Sequence, residues 1–414
     1  MMSARAPLVI VGASYAGTQL AATARELGFD APIILLGEEG HAPYQRPPLS
    51  KGLLTGQTSV DALALRGPGF FADQAIDLQL GRRAKALDAA ARTLTLDDGS
   101  TLGYGWLALA TGARCRALPV PGTDLDGVYN LRTLDDALRI SDALAQATRA
   151  CVIGGGFIGL EVASALAARG ASVTVVESQP RLLARSFPPL MSDYLAGAHR
   201  QRGVEVVLGR GVRALSGDAG RVRHVELDDG SRIACDMVVL GIGVQPNIEL
   251  ALEAGIACDN GILTDALGRT SAPQVIAVGD VANTLLPAVP GCPLRLRLES
   301  IQAANDGARA AASALAGTPQ PFEGVPWFWS DQHKLKLQMA GLPMPGDQAV
   351  VRGEMQSDRF SLFYLRGGVM VAAHSVNRPA EHMLSRKLIA AGARIDPQQL
   401  QDESVDLKST RSSP

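Results

Sequence analysis

LVIVGASYAG, at residues 8–17, occurs a second time in altered form as CVIGGGFIG at residues 151–159. Each copy is a short apolar run followed by closely spaced small residues and then an alanine-rich stretch without proline. A second apolar run follows each copy, at Ile33–Leu36 and at Ser172–Val176. The pattern predicts two β-α-β units of about 30 residues, the context in which a glycine motif at the first turn is typical of dinucleotide binding.

The spacing of the glycines carries the chemistry of these turns. A helix N-terminus presents unpaired backbone N–H groups and the positive end of the helix dipole, so it attracts a pyrophosphate that can come close. The second copy satisfies the complete spacing at Gly154, Gly156 and Gly159. In the first copy Ser14 replaces the middle glycine, and its hydroxyl can itself donate to a phosphate oxygen. Tight packing is the alternative explanation for such glycines, but two copies in matching context favour two bound dinucleotides.

Acidic residues follow the second strand of each unit. Glu38, with Glu39 as the alternative, is placed to accept from the ribose hydroxyls of the first nucleotide, and Glu177 from those of the second. A carboxylate there favours NADH, because it would repel the 2′-phosphate of NADPH. Arg181 and Arg185 lie close behind Glu177 and leave NADPH open.

The rest of the chain repeats the same plan and then departs from it. Leu94–Gly103 and Leu227–Ile233 each predict a hairpin that turns at an Asp-Gly pair. Each hairpin precedes an apolar strand that ends in glycine, at Trp106–Gly112 and Met237–Gly243. Pro321–Val371 is richer in aromatic residues and alternating segments, and it predicts a third domain. We therefore expect an α/β protein with two Rossmann-like dinucleotide-binding domains and an α+β C-terminal domain.

Composition limits the classes of function. Of the 414 residues, 47% are hydrophobic and 19% are charged, as in soluble globular proteins. The net charge of −2 gives no electrostatic case for nucleic acid or a membrane surface, and no apolar run reaches the ~18 residues that span a bilayer. The first strand begins too early for a signal peptide to precede it, so we expect a cytoplasmic protein. The cysteines are widely spaced and form no CxxC or CxxxxC pair, so we expect neither a metal site nor a local redox disulfide; they are Cys115, Cys151, Cys235, Cys258 and Cys292.

Four further segments resemble a known family. They are PYQRPPLSK at residues 43–51, ATGAR at 110–114, IAVGD at 276–280 and PWFWSD at 326–331. Together with the glycine turns they closely resemble the FAD-dependent ferredoxin reductases of bacterial oxygenase systems, which serve cytochromes P450 or Rieske dioxygenases. The resemblance extends from about Leu8 to Lys408.

The resemblance implies the glutathione-reductase type of fold, in which the FAD-binding domain is discontinuous. It places that domain at residues 1–114 and 246–320, the NAD-binding domain at 115–245 and the C-terminal domain at 321–414. We expect the polar tail after about residue 398 to be extended.

The resemblance also implies individual contacts. Glu38 would bind the adenosine ribose, Asp280 a ribityl hydroxyl, and Trp329 would lie near the exposed end of the flavin. Taken alone, Asp280 could instead cap a helix that begins near Val281, and Trp329 could be a core residue. The residues implied for FAD are Gly12, Ser14, Ala16, Gly17, Glu38, Arg46, Lys51, Ala84, Thr111, Gly112, Arg132, Asp280, Ile301 and Trp329. The residues expected to bind NADH are Gly154, Gly156, Gly159, Glu161, Glu177, Arg185 and Gly243.

Lys51 and Glu161 are the candidate catalytic residues. Hydride transfer requires the nicotinamide to stack on the flavin while the protein orients the rings and stabilises charge. The resemblance places Lys51 on the N5 side of the flavin and Glu161 beside both Lys51 and the nicotinamide. We therefore predict a Lys51–Glu161 ion pair; the alternative is that Glu161 only complements the helix N-terminus.

The implied electron acceptor is an acidic [2Fe-2S] ferredoxin that docks near the flavin edge on basic residues. The candidates are Arg309, Lys334, Lys336, Lys387 and Lys408. A disulfide reductase is disfavoured because no cysteine precedes Cys115. An NADH oxidase or quinone reductase remains open, as does a redox-responsive binding protein similar to apoptosis-inducing factor.

Overall fold

The structure is a computed structural model that describes residues 6–286 and 294–410. Its first region forms a β-α-β unit whose strand Leu8–Val11 is buried along its whole length, as a continuous apolar run predicts for the centre of a parallel sheet. The elements of this region are β1 (Leu8–Val11), α1 (Tyr15–Glu26), β2 (Ile33–Gly37), two 3-10 helices (Pro47–Ser50 and Asp61–Leu63), α2 (Phe70–Asp73), β3 (Ile76–Leu80), β4 (Ala84–Asp88), β5 (Thr93–Leu96), β6 (Thr101–Gly103) and β7 (Trp106–Leu109).

The second region repeats the plan with its own parallel sheet. Its elements are β8 (Ala113–Cys115), β9 (Val128–Asn130), α3 (Leu134–Leu144), β10 (Arg149–Ile153), α4 (Phe157–Ala168), β11 (Ser172–Glu177), α5 (Pro189–Gln201), β12 (Val204–Leu208), β13 (Val212–Asp218), β14 (Arg221–Leu227), β15 (Arg232–Ala234), β16 (Met237–Leu240) and β17 (Val244–Pro246). The sheet has the order β12-β11-β10-β16-β9, and β13-β14-β15 form a separate antiparallel sheet.

The chain then returns to the first region. The elements are α6 (Glu249–Glu253), β18 (Ile262–Thr264), β19 (Val275–Ala277), a 3-10 helix (Gly279–Val281), β20 (Ala282–Leu286), β21 (Leu294–Leu296) and α7 (Ile301–Leu315). Strand β19 pairs with β7, which gives the first sheet the order β19-β7-β1-β2-β3. One sheet is thus built from two segments that are far apart in sequence.

Two short strands mark the crossing between these regions. β8 pairs antiparallel with β17, and Cys115 lies opposite Val244. The predicted domain boundaries after residues 114 and 245 fall inside this pair of strands. The limits themselves stay a prediction.

The last region is an antiparallel sheet with the order β22-β23-β26-β25-β24. Its elements are β22 (Trp327–Gln332), β23 (Leu335–Gly341), β24 (Gln348–Glu354), a 3-10 helix (Met355–Ser357), β25 (Arg359–Arg366), β26 (Val369–Val376), α8 (Pro379–Ala390), α9 (Pro397–Gln401) and a 3-10 helix (Leu407–Thr410). One core joins the inner face of this sheet to the helices of the second region.

The prediction of an extended tail is wrong. After residue 397 the chain forms α9 and a final 3-10 helix, with Leu400 and Leu407 buried. The buried Arg352 guanidinium holds this segment by donating to the carbonyl oxygens of Leu400 at 3.0 Å and Val405 at 2.8 Å. A tail of polar composition is therefore ordered by its backbone carbonyls and two leucines.

The hairpins predicted at Leu94–Gly103 and Leu227–Ile233 are confirmed as antiparallel pairs. Within the described ranges, no helix has the length and apolar character needed to cross a membrane. Cys292 lies outside the described residues.

Candidate active site

The two glycine turns share one backbone geometry. Gly12 and Gly154 have φ values of +118° and +111°, in the region that favours glycine. A Cβ on Gly12 would lie 2.1 Å from the carbonyl oxygen of Ala110, and one on Gly154 would lie 2.4 Å from that of Gly241. Packing alone therefore requires glycine at both positions, whatever the turns bind.

The last glycine of each motif is also explained by packing. A Cβ on Gly17 would lie 1.9 Å from the carbonyl oxygen of Gly12, and one on Gly159 would lie 2.1 Å from that of Gly154. The helix can begin this close to its own turn only without a side chain there. These glycines carry no independent sign of a ligand.

The middle position is different. Gly156 is the N-cap residue of α4 with φ −83°, and the nearest atom to an added Cβ would be the carbonyl oxygen of Gly241 at 3.9 Å. Packing does not require glycine here, so the missing side chain exposes backbone that a pyrophosphate can approach. Ser14 takes the same place before α1, and its hydroxyl accepts from Arg46 Nε at 3.3 Å.

Residues predicted for FAD from four distant segments meet beside the first turn. Arg46 contacts Ser14 and also donates through Nη1 to the backbone carbonyl of Arg132 at 2.5 Å. Arg132 Nη2 donates to the Asp280 carboxylate at 2.9 Å, and a Cβ on Gly112 would lie 3.6 Å from Arg132 Nη2. The structure thus gathers two cations, a hydroxyl and a carboxylate around one helix N-terminus, a set of groups suited to phosphate and sugar hydroxyls.

The environment of Arg132 fixes its charge. Burial disfavours the guanidinium, but the Asp280 carboxylate outweighs burial and holds the pKa of Arg132 above its usual value. Asp280 lies in the 3-10 helix Gly279–Val281, which continues directly into strand β20. The alternative in which Asp280 caps an α-helix beginning near Val281 is wrong, because the following residues pair with β18.

The predicted ion pair between Lys51 and Glu161 is confirmed. Lys51 Nζ lies 2.8 Å from Glu161 Oε2, and the two side chains are 19% and 2% exposed. Lys51 follows the 3-10 helix of the first region, and Glu161 belongs to α4 of the second. The pair therefore joins the two dinucleotide units at their contact. Whether it faces a flavin and a nicotinamide stays a prediction.

Two serines that sequence reasoning missed complete the surroundings of Glu161. Ser50 Oγ donates to Oε2 at 2.5 Å and Ser330 Oγ donates to Oε1 at 2.6 Å. Both serines are buried. Both serines belong to segments that carry the family resemblance, PYQRPPLSK and PWFWSD. The sequence did not indicate that their hydroxyls would donate to Glu161.

The two acids after β2 have different roles. Glu39 accepts from Tyr44 Oη at 2.5 Å and from Arg46 Nη2 at 2.6 Å. Burial raises the pKa of Tyr44 above its usual value, so the phenol is a donor at neutral pH. The Glu38 side chain is 67% exposed and lies 3.5 Å from Arg83 Nε. Glu38 is therefore the more accessible of the two, and its contact with a ribose stays a prediction.

The surroundings of the second nucleotide unit are also ordered. Glu177 accepts from the backbone N–H groups of Gly155 and Gln179, both at 2.7 Å. Arg181 donates to the carbonyl oxygens of Phe187 and Ala184 and to Ser192 Oγ.

Arg185 is placed differently from Arg181. It is exposed, and its Nη2 lies 3.5 Å from where a Cβ on Gly243 would stand. Gly243 has a φ of +93°. Arg185 and Gly243 are therefore neighbours in the turn that follows β16, and their contact with NADH stays a prediction.

The remaining residues predicted for FAD are placed as follows. Thr111 donates to the carbonyl oxygen of Asn247 at 2.7 Å. Ala16 is buried where α1 meets the 3-10 helix Gly279–Val281. Ala84 begins β4 and Ile301 begins α7. Trp329 is half-buried on β22 and stacks on Trp327, with 5.7 Å between ring centroids.

The five basic residues predicted for ferredoxin docking are all exposed. Arg309 forms a surface ion pair with Asp306 at 3.0 Å. Among residues 6–286 and 294–410, no group of three or more metal-ligating side chains is placed to hold an ion.

Comparisons with known proteins agree with this geometry. The sequence profile described as pyridine nucleotide-disulphide oxidoreductase matches residues 6–308, and a reductase C-terminal profile matches residues 327–411. Rhodocoxin reductase of Rhodococcus erythropolis is 43% identical over 401 residues, which cover 97% of this chain and 93% of that protein. Putidaredoxin reductase of Pseudomonas putida is 39% identical over 412 residues, which cover 98% and 97%.

Solved structures give the same result. The ferredoxin reductase for the CYP199A2 system from Rhodopseudomonas palustris superposes with a TM-score of 0.94 at 40% identity, covering 99% of this chain and 100% of that one. The covalent putidaredoxin reductase–putidaredoxin complex also gives 0.94, at 38% identity and with 99% and 98% coverage. The chain belongs to the pyridine nucleotide-disulphide oxidoreductase family, in its group of ferredoxin reductases of oxygenase systems.

Proposed function

We propose that this protein transfers electrons from NADH, through bound FAD, to a [2Fe-2S] ferredoxin that supplies a cytochrome P450 or a Rieske-type oxygenase. The observation that carries the proposal is the buried Lys51–Glu161 pair, with 2.8 Å between Nζ and Oε2. It joins two units that each have a dinucleotide turn, so the reactive rings of two dinucleotides would meet beside it.

The residues around the first turn fit FAD. Bound FAD supplies the chemistry that this chain lacks, since it accepts a hydride and releases electrons one at a time. Arg46 and Arg132 would neutralise the pyrophosphate with the N-terminus of α1. Asp280, already fixed by Arg132, would accept from a ribityl hydroxyl. Lys51 would place its cation where negative charge develops on reduction.

The second turn would hold NADH. The backbone of Gly156 would receive the pyrophosphate, and Glu177 would accept from the adenosine ribose. Its carboxylate has about four acceptor positions, of which two backbone N–H groups and the Ser178 hydroxyl use three, so one is left for the ribose. The Arg181 guanidinium is committed to its own loop, so it offers less to a 2′-phosphate, and NADH is preferred over NADPH. Glu161 would accept from the nicotinamide carboxamide.

We propose that the ferredoxin docks where Trp329 approaches the surface. Basic side chains would steer an acidic partner and set the ionic-strength dependence of its association. NADH is a cytoplasmic electron donor, so we propose the cytoplasm as the place of action.

Anaerobic reduction and ferredoxin turnover test the proposal. FAD-loaded protein should bleach on mixing with NADH, more slowly with NADPH, and should then reduce a [2Fe-2S] ferredoxin catalytically. If neither NADH nor NADPH bleached the flavin, the proposal would be refuted. Faster reduction of oxygen or a quinone than of ferredoxins would favour an oxidase or quinone reductase. A slow reduction that leaves a long-lived complex would favour a redox-responsive binding protein.

Charge reversal tests the docking surface. Lys387→Glu should raise the KM for ferredoxin by about 3–10-fold at low salt, because steering charges act mainly on association. Arg221→Glu is the matched control, since Arg221 is also exposed but begins a strand of the β13-β14-β15 sheet. Equal effects of the two variants would contradict docking at Lys387.

A further inference from the structure

A buried chain of polar side chains continues from Glu161 into the C-terminal region. It is made of Ser330, Gln332, His199 and His333. The first three are almost fully buried, and His333 is half-buried. Buried polar groups of this number are rare unless each has a partner, and none of these residues is required by the glycine turns.

The hydrogen atoms of the chain can be assigned from its charged end. The Glu161 carboxylate accepts from Ser330 Oγ at 2.6 Å, so that hydroxyl is a donor. Gln332 Nε2 donates to Ser330 Oγ at 3.1 Å, which turns the Gln332 carbonyl oxygen towards His199.

The two histidines then have defined tautomers. His199 Nε2 lies 2.9 Å from Gln332 Oε1, and because that oxygen only accepts, Nε2 must carry the hydrogen. His199 Nδ1 is therefore bare and accepts from His333 Nε2 at 3.2 Å. All four hydrogen bonds point the same way, towards the negative charge of Glu161. Aligned hydrogen bonds polarise one another, so the alignment strengthens the bond that reaches the carboxylate.

The chain also crosses between two regions of the protein. Glu161 lies on α4 and His199 on α5, whereas Ser330 and Gln332 lie on β22. The backbone N–H of His333 donates to Ser164 Oγ, which closes the contact on the α4 side. The C-terminal sheet thereby fixes a side chain of the predicted dinucleotide site.

Three donors reach the Glu161 carboxylate from the described residues: Lys51, Ser50 and Ser330. A carboxylate has about four acceptor positions. Lys51 and Ser50 share Oε2, and Ser330 occupies one side of Oε1. The arrangement leaves one acceptor position, on Oε1, whose direction is set by the bond from Ser330.

We propose that Ser330, Gln332 and His199 are positioning residues that hold Glu161 with one acceptor position turned to the amide of the nicotinamide. The inference rests on the proposed function, because it takes the ligand to be NADH. The chain makes no bond to the dinucleotide itself and acts only through Glu161.

A double-mutant cycle tests the proposal. Ser330→Ala should weaken binding of NAD⁺ to the FAD-loaded protein about 10-fold, the effect of losing a hydrogen bond to a charged group. In a Glu161→Gln background, Ser330→Ala should weaken NAD⁺ binding by no more than about 2-fold, because the carboxylate that accepts from Ser330 is absent. Ser330→Thr, which keeps the hydroxyl, should restore binding.

Ser361→Ala is the matched control. Ser361 is as fully buried as Ser330, and its hydroxyl also has a hydrogen-bond partner, Ser375. Ser330, Leu337, Val376 and Phe360 lie in one row across the sheet. Ser361 follows Phe360 and so points to the opposite face. Equal losses from Ser330→Ala in both backgrounds, or a loss no larger than that of Ser361→Ala, would overturn the proposal.

Nitrogen NMR of the histidine rings gives a readout that needs no dinucleotide. The whole protein has only 6 histidines, so ¹⁵N-histidine labelling gives assignable spectra. In FAD-loaded protein His199 should be the Nε2–H tautomer, and Gln332→Met should shift the ¹⁵N resonance of Nε2, because the hydrogen on that nitrogen loses its acceptor. An Nδ1–H tautomer in the unaltered protein would overturn the proposal. If NADH failed to reduce the flavin, the proposed function would fall while this readout still reported on the chain.

Discussion

Replacing Gly156 by alanine tests whether this glycine is needed for dinucleotide binding rather than for folding. An added Cβ at Gly156 would have no neighbour nearer than 3.9 Å, on a backbone with φ −83° that any residue adopts. Gly154, two residues earlier, is the matched comparison. It has φ +111°, and its added Cβ would lie 2.4 Å from the carbonyl oxygen of Gly241.

The two variants should therefore differ in stability and in binding. At Gly156, alanine is a poorer N-cap than glycine, by up to about 1 kcal/mol. It also lowers the entropy of the unfolded chain, which restores about 0.4–1 kcal/mol. The free energy of unfolding should then change by less than about 1 kcal/mol. Gly154→Ala should lose about 2 kcal/mol or more, since its φ is strained for alanine and its Cβ clashes with backbone.

Dinucleotide binding should respond to Gly156→Ala in the opposite way. The new methyl group lies between the N-terminus of α4 and an approaching pyrophosphate, so the dissociation constant for NADH should rise at least about 10-fold, or about 1.4 kcal/mol. Bound FAD should be retained, because its predicted turn at Ser14 is untouched. Urea unfolding and an anaerobic NADH titration measure the two effects.

Any of three results would refute this reasoning. Unchanged NADH affinity in Gly156→Ala would show that no pyrophosphate approaches the second turn. A loss of stability as large as that of Gly154→Ala would show that Gly156 is there for packing. Loss of both FAD and NADH would show that the two turns do not bind separate ligands.

Three more predictions follow from the buried charges. Lys51→Met should lower the free energy of unfolding by about 3 kcal/mol and Glu161→Gln by about 1 kcal/mol. The reason is that the Glu161 side chain is 2% exposed and that of Lys51 is 19% exposed, so a carboxylate left without its cation costs more here than an ammonium left without its anion. Equal losses in urea unfolding would contradict this. Burial lowers the pKa of His374 from 6.5 to about 3. Since the unfolded chain therefore takes up a proton at a higher pH than the folded protein, the free energy of unfolding should fall as the pH drops below 6.5. The loss from this residue should be about 2 kcal/mol at pH 5. His374→Gln should remove that share of the pH dependence, and an unchanged slope between pH 7 and 5 would contradict it. Arg352→Met should release residues 397–410, seen as limited proteolysis there before global unfolding, and unchanged cleavage would show that buried leucines suffice.

Local pattern predicted most of the fold. The run Leu8–Val11 is buried along its whole length because it lies in the centre of a parallel sheet, and continuous apolar runs are typical of such strands. Each Asp-Gly pair formed the turn of a hairpin because glycine accepts the positive φ that such turns need; Gly99 and Gly230 have φ values of +82° and +84°. These features depend on neighbours a few residues away and so can be read from the sequence.

Features that depend on distant contacts were missed. Ser330 and His199 become part of one chain only when β22 packs on α4 and α5, and no local pattern indicates which buried polar groups will meet. The prediction of an extended tail is wrong for the same reason, because the tail is ordered by Arg352, about 50 residues earlier in the chain. The Lys51–Glu161 pair was predicted because a family resemblance had already encoded its long-range contact.

Strand β22 offers a physical reason for attaching a third domain to two dinucleotide units. Successive residues of a strand point to opposite faces, so Ser330 faces Glu161 while Trp329 and Trp327 face the other way and stack on each other. Arg386 of α8 lies over the Trp327 ring at 4.5 Å, next to the exposed Lys387. One strand would thereby place the group that orients the electron donor on one face and the aromatic, basic surface proposed for the acceptor on the other. One ferredoxin could then dissociate and another bind without disturbing Glu161. A protein that receives two electrons together and delivers them singly requires this exchange of acceptors.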